Sequence, residues 1–400
     1  MQTPWRKLYI LSIAGGLSWL GSALNTFAVV LRDKDHVGAA GVAGYLLAFG
    51  LPTIFMAPIS GLIADKFSTR TVILPALFVM GLSSATLALG LPLWWTPIAL
   101  VITATAGTLV GPASQAMQVL YTHPDDRPRV TGLMQSMASA GMLVAPAVGG
   151  ILVSTTGYFW PFVIDALSFW ILGLTFWGIG LNRQPVQHEA GEKFSAIAGA
   201  KFVFSDRLIR ALVILVSVLI VALGSFNVGE VFLVKDELHA SDFIYGVVSA
   251  MFAAGEISGA ILTASVKLNR KFHASATVFG IAILVLAIFG FSLASHWWMA
   301  MVLAFITGFG NAVLNAYAIS IVMTRSPKEM LGRVNAAIGA IIQSGGVIGI
   351  VLSGYAIKIW GVRPVTFVAS IISALILLIF APDVLRYGRH HVDEASPAKA

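Results

Sequence analysis

Twelve apolar runs alternate with short polar segments along this chain. Their limits are about 8–31, 42–64, 71–91, 97–120, 130–154, 158–181, 208–232, 243–266, 274–294, 297–323, 334–358 and 362–380. A helix needs about 20 mostly apolar residues to cross a bilayer, so the pattern predicts an all-α polytopic membrane protein with twelve transmembrane helices. The first run follows Arg6 and Lys7 and exceeds the 7–15 apolar residues of a signal peptide. It reads as span 1. Only Ser295 and His296 separate spans 9 and 10. The longest internal polar stretch divides the spans six and six. The expected organisation is a six-helix half over 1–181, a linker over 182–207, a second half over 208–385 and a tail over 386–400.

Composition agrees with this reading. Hydrophobic residues make up 58% and charged residues 11%, against about 25% charged in a soluble domain. The net charge of +7 raises the question of nucleic acid, but the basic residues form no stripe. They are spread over the loops and set topology instead. With both termini inside, 20 of the 25 Lys and Arg fall on the cytoplasmic side. Arg32, Lys34, Lys235, Lys358 and Arg363 make up the other side, in external loops or at span ends. That asymmetry orients the chain by the positive-inside rule, and none of these residues is expected deep in a span. Cysteine is absent, which removes disulfides, thiolate metal sites and thiol nucleophiles.

The two halves repeat. Arg129-Val130 and Arg333-Val334 each open a span at an offset of 204, and the same offset joins Gly150 to Gly354 and Gly157 to Gly361. Pro58-Ile-Ser-Gly61 aligns with Glu256-Ile-Ser-Gly259, and Trp94-Trp95 with Trp297-Trp298, at offsets of 198 and 203. Near-constant spacing over four regions points to duplication. The tryptophans also suit an interfacial aromatic belt.

Between runs 2 and 3 the chain reads Gly61-Leu-Ile-Ala-Asp65-Lys66-Phe-Ser-Thr-Arg70. This resembles the signature loop of the major facilitator superfamily, with Gly61, Ala64, Asp65, Lys66 and Arg70 matching. Ser68 and Thr69 depart from its usual glycine and basic residue. The resemblance implies two six-helix halves related by an axis along the membrane normal, with a substrate site at the midplane. It also implies a cytoplasmic gate in which Gly61, Asp65, Lys66 and Arg70 meet the start of span 11 near Arg333. Without the resemblance the loop reads as a capped helix end bearing positive-inside charges.

Span 5 carries Gly141-Met-Leu-Val-Ala-Pro146-Ala-Val-Gly149-Gly150. This is similar to the Gly/Pro pattern of proton-coupled exporters in that superfamily, with Ala145 in place of one glycine. The loops around Arg129 and Arg333 resemble its macrolide-efflux and siderophore-export branch. Small residues let helices approach and proline bends them, so plain helix packing explains the same residues.

Three acids lie within spans: Asp165 in span 6, Glu230 in span 7 and Glu256 in span 8. An acid in the bilayer is costly and usually serves an ion or substrate pathway. Glu256 is the deepest and is the leading candidate for proton coupling. Asp165 also reads as a hydrogen-bonded packing residue, and Glu230 as interfacial. Polar candidates for a cavity wall are Asn25, Gln115, Gln118, Asn227, Asn311, Asn315 and Gln343. For each of them, interhelical hydrogen bonding is the alternative. All eight histidines sit in loops, tails or span ends, and no Walker sequence occurs. No metal, cofactor or ATP is expected, and no nucleophile–base constellation suggests an enzyme. The reading is a monomeric, multi-pass carrier of a bacterial inner membrane that exports a small neutral or cationic amphiphile, drug-like or siderophore, in exchange for protons. An uptake symporter or a lipid-like solute flippase is the alternative, and a transport-dead receptor a more distant one.

Overall fold

A computed structural model describes residues 3–123, 126–184, 196–266, 268–326 and 331–394, apart from a few side chains within helices. Every regular element among them is helical. The helices are α1 (Trp5–Lys66), α2 (Thr69–Ala88), α3 (Trp95–Tyr121), α4 (Arg127–Thr156), α5 (Phe159–Ile179), α6 (Ala196–Ser205), α7 (Arg207–Phe232), α8 (Asp242–Ser265), α9 (His273–Ser292), α10 (Trp297–Arg325), α11 (Leu331–Trp360) and α12 (Val362–Glu394). Eleven of the described helices are long and apolar enough to cross a membrane.

Helix α1 holds two passes. Its 62 residues would extend about 93 Å if straight, some three times the hydrocarbon core. At Gly38, φ is 61° and ψ is −172°, a positive-φ conformation that strains any residue with a Cβ. The chain reverses there, and Tyr45 comes back to donate its hydroxyl to Asp33 at 3.1 Å. The loop expected over residues 32–41 is therefore a helical hairpin. Arg32 and Lys34, expected in an external loop, lie on its first arm, and Lys34 is 5% exposed.

The described chain forms two compact units. The first is Met1–Gly191 with Ser241–Ala250, and the second is Glu192–Ala240 with Met251–Ala400. In the first, α1 packs on α3, α4 and α5, while α2 packs on α3 and α5. The second repeats the scheme: α7 packs on α11 and α12, and α9 on α10 and α12. The sequence repeat thus reappears as one helix-pairing pattern built twice. Gly157 and Gly361, one offset apart, have φ of 75° and 82°. Each ends a helix in a conformation suited to glycine. Of the 182–207 linker, residues 185–195 lie outside the described residues. Its last turns form α6, whose Val203 is buried with Ile209, Val213, Val322 and Val334.

Candidate functional site

The strongest site candidate lies in the second unit, where α8 meets α10. Glycines on both helices remove the side chains that would hold them apart. A Cβ at Gly308 would collide with the Phe252 carbonyl and stand 3.0 Å from the Glu256 nitrogen. A Cβ at Gly255 would collide with the Phe305 carbonyl. The close crossing brings Glu256 to Asn311, whose Nδ2 donates to Oε1 at 2.6 Å. Asn315, one turn on, donates its Nδ2 to the Asn311 Oδ1 at 3.2 Å and to the Asn311 carbonyl at 2.9 Å. The amides form a directed chain, Asn315 to Asn311 to Glu256. Each donor polarises the next toward the carboxylate. Glu256 and Asn311 are half-buried and Asn315 is exposed, so the chain leads from an open helix face to the acid. Among the described residues no cation pairs with Glu256. Gly308→Ala is expected to force α8 and α10 apart at a cost of about 1–3 kcal/mol, read as a lower Tm of the purified protein. An unchanged Tm would show that the crossing has slack.

Asp165 has a different setting, in the first unit. It is 1% exposed and accepts from Asn25 Nδ2 at 2.7 Å, Ser84 Oγ at 2.6 Å and Ser22 Oγ at 3.2 Å. Asn25 also donates to Ser84 Oγ at 2.6 Å. Gly21 makes this possible, because a Cβ there would lie 2.9 Å from the Asp165 Cα. The cluster fastens α1 to α2 and α5. Asn25, expected on a cavity wall, is 6% exposed and is committed to this cluster. Asn227, Gln115 and Gln343 are exposed, Gln118 and Glu230 are half-buried, and Gln118 donates to Ser114 Oγ at 3.1 Å.

The family profile of the Major Facilitator Superfamily matches residues 11–233 and 214–396. The chain belongs to the major facilitator superfamily. It is a multi-pass membrane transporter of a small-molecule substrate, not an enzyme. It is 23% identical over 372 residues to macrolide efflux protein A of Streptococcus pyogenes, covering 87% of this chain and 89% of that protein. It is 24% identical over 216 residues to the enterobactin exporter EntS of Escherichia coli O1:K1 / APEC, covering 54% of this chain and 51% of that one. Among solved structures, the nucleoside transporter NupG superimposes with a TM-score of 0.74 at 18% identity, over 94% of this chain and 97% of that one. A bacterial homolog of the human lysosomal transporter Spinster does so with a TM-score of 0.69 at 14% identity, over the full length of both.

The signature loop of this superfamily member can be followed in part. Gly61, Asp65 and Arg333 fall outside the described side chains. Lys66 is exposed, with its ammonium 5.8 Å from the Phe67 ring. Arg70 donates to the Trp177 carbonyl at 2.7 Å, and its backbone N–H to Asn182 Oδ1 at 3.1 Å, tying the start of α2 to the end of α5. The two departures from the family pattern have local uses. Ser68 caps α2 by accepting from Thr71 N–H at 3.4 Å, and Thr69 N–H donates to the Arg183 carbonyl at 3.1 Å.

The Gly/Pro segment of α4 has two faces. Gly141 lies against α1, where a Cβ would stand 2.6 Å from the Gly16 carbonyl, and Gly149 lies against Phe27. Pro146 and Gly150 face the first residues of α8, with the Pro146 carbonyl against Gly246 and Gly150 beside Asp242. Phe27 stacks on Tyr245 with ring centroids 4.9 Å apart.

One polar network escaped the sequence reading. Asp33, 1% exposed, pairs with Arg32 Nε at 2.6 Å and accepts from Thr96 at 3.2 Å as well as from Tyr45. Arg32 also donates to the Leu87 carbonyl at 3.1 Å and lies 5.0 Å from the Phe162 ring centroid. Lys34 pairs with Asp35 at 2.5 Å. The available signal was the alternation of charge in Arg32-Asp-Lys-Asp35, which lets buried cations be matched locally. Nearby Tyr158 sits between α4 and α5.

Proposed function

We propose that this transporter exports a small neutral or cationic amphiphile, drug-like or siderophore, in exchange for protons, with Glu256 as the coupling group. The observation that carries the reading is Glu256 itself. It is an acid more than halfway along an apolar helix, with an asparagine chain supplying donors and no cation beside it among the described residues. A permanently ionised, unpaired carboxylate at that depth is costly. A group that is alternately protonated and ionised avoids holding the cost throughout the cycle. When ionised, Glu256 accepts from Asn311. When protonated, it presents its own O–H and loses the need for a counter-charge. Asn315, Asn227 and Gln343, exposed on apolar helices of the second unit, are its proposed polar wall there, and Gln115 is the exposed polar candidate of the first unit.

The named activities of macrolide efflux protein A and the enterobactin exporter support export as the direction. The matched cations support a neutral or cationic substrate. Arg32 and Lys34 are withdrawn from solvent, but Asp33 and Asp35 neutralise them, which leaves no free guanidinium there for a strongly anionic solute. The charge asymmetry supports cytoplasmic termini, and the efflux proteins it resembles support a bacterial inner membrane; the monomer is the proposed working unit.

Flux in proteoliposomes with an imposed pH gradient, screened over cationic dyes, macrolides and siderophores, tests the reading. Accumulation driven by the gradient is expected for at least one amphiphile. Gradient-independent flux of every substrate found would remove the proton from the mechanism.

A further inference from the structure

We propose that the turn from α6 into α7 binds an anionic phospholipid, with Arg207 and Arg210 holding the phosphate and Phe204 seated among the acyl chains. α6 is a short helix with one side in the second unit's core. Its Val203 is fully buried, while the adjacent Phe204 is 51% exposed. An exposed aromatic ring at the end of a membrane span suits the boundary between headgroups and acyl chains.

Lys201, Arg207 and Arg210 are exposed on the same turn. Topology alone accounts for cations in this loop, but not for their being held in place. Arg207 Nη1 donates to the Tyr387 hydroxyl at 2.9 Å, and its guanidinium carbon lies 5.8 Å from that ring centroid. Arg210 Nη1 donates to the Phe204 carbonyl at 3.1 Å. Each contact uses one of the five guanidinium N–H donors, and each partner is neutral. Among the described residues neither arginine has a carboxylate within ion-pair distance. The neighbouring acid is occupied elsewhere. Asp206 accepts from the Leu208 and Ile209 N–H groups at 3.0 Å each and from Arg325 Nε at 2.6 Å.

Among the described residues the turn therefore presents two oriented guanidiniums with unused donors and uncompensated charge. Planar guanidinium forks match phosphate oxygens bidentately, and restraining them beforehand lowers the entropy lost on binding. The exposed ring beside them favours a phosphate that carries chains over a free one. Clusters of cations at a span end recruit anionic lipid in the same way.

The inference rests on the membrane placement of the chain but not on export or proton coupling, and its test needs no transport. Delipidated, purified full-length protein is titrated with phosphatidylglycerol, phosphatidylcholine or glycerol 3-phosphate, followed by native mass spectrometry and Tm. Phosphatidylglycerol is expected to bind saturably and raise Tm, with phosphatidylcholine and glycerol 3-phosphate much weaker. Arg207→Gln and Arg210→Gln should each weaken phosphatidylglycerol binding about fivefold. The Arg207→Lys/Arg210→Lys variant keeps both charges, so it should fold and bind with intermediate strength. It decides the question if the glutamine variants do not fold. Wild-type binding by the double glutamine variant, or by the double lysine variant where only that one folds, overturns the proposal. Equal binding of phosphatidylcholine also overturns it, and equal binding of glycerol 3-phosphate would show a free-phosphate site instead.

Discussion

Glu256→Gln is expected to abolish pH-gradient-driven accumulation while leaving substrate binding detectable. Glutamine is isosteric with the protonated acid and can still accept from Asn311, so the α8–α10 contact survives. It cannot release a proton, so the ionised half of the cycle is removed. Exchange between compartments of equal pH should continue, because that process needs no net proton movement. The measurement is uptake into energised and de-energised vesicles, with Tm confirming an intact fold. If Glu256→Gln concentrates substrate as well as the unsubstituted chain does, Glu256 only holds α10, and Asp165 becomes the first alternative. Asn311→Leu supplies a graded companion. It removes the donor that stabilises the ionised form, so the pH at which accumulation is half-maximal should move upward. Tm and flux down a substrate gradient check that this variant folds and transports.

Asp165→Leu is expected to lower stability sharply, whereas Asp165→Asn should be tolerated. Leucine removes the acceptor that Asn25, Ser84 and Ser22 share and leaves Asn25 and Ser84 only each other and the Phe162 carbonyl at 3.4 Å, at about 1–3 kcal/mol for each buried polar group that loses this acceptor. Asparagine keeps an oxygen toward Asn25 and Ser84. It turns its amide toward Ser22, whose hydroxyl can accept as readily as donate. Thermal unfolding should therefore separate the two variants widely. Transport by Asp165→Asn then discriminates function from packing. A retained pH-driven accumulation assigns Asp165 to holding α1 against α2 and α5, while its loss at normal Tm would make Asp165 part of the proton path.

The residues of the family-like loop and the place of Glu256 along α8 were legible because both depend on distance along the chain. Helical rise converts residue number into depth, and a loop motif is contiguous. Asn311 and Asn315 could be placed on one helix face by their spacing, but nothing local named Glu256 as their partner. Asn25 shows the opposite outcome. As a polar residue in span 1 it met every requirement for a cavity wall, yet Asp165, 140 residues away, claims it. Arg32 and Lys34 read as loop cations because the polar run around them has the composition of a turn. The reversal is concentrated at Gly38, which allows the flanking charges to stay helical and pair with Asp33 and Asp35.

By itself the sequence determined the class of solvent, the number of passes, the doubling of the unit and the family. Each of these follows from a one-dimensional constraint: a bilayer of fixed thickness demands runs of fixed length, and duplication leaves a fixed offset. Tertiary structure decided which acids are packed away and which stand open, because that depends on the azimuth of each helix and on its neighbours. Gly21, Gly255 and Gly308 set how closely the helices cross. That closeness closes Asp165 within three hydrogen bonds and leaves Glu256 with one asparagine and a half-open face.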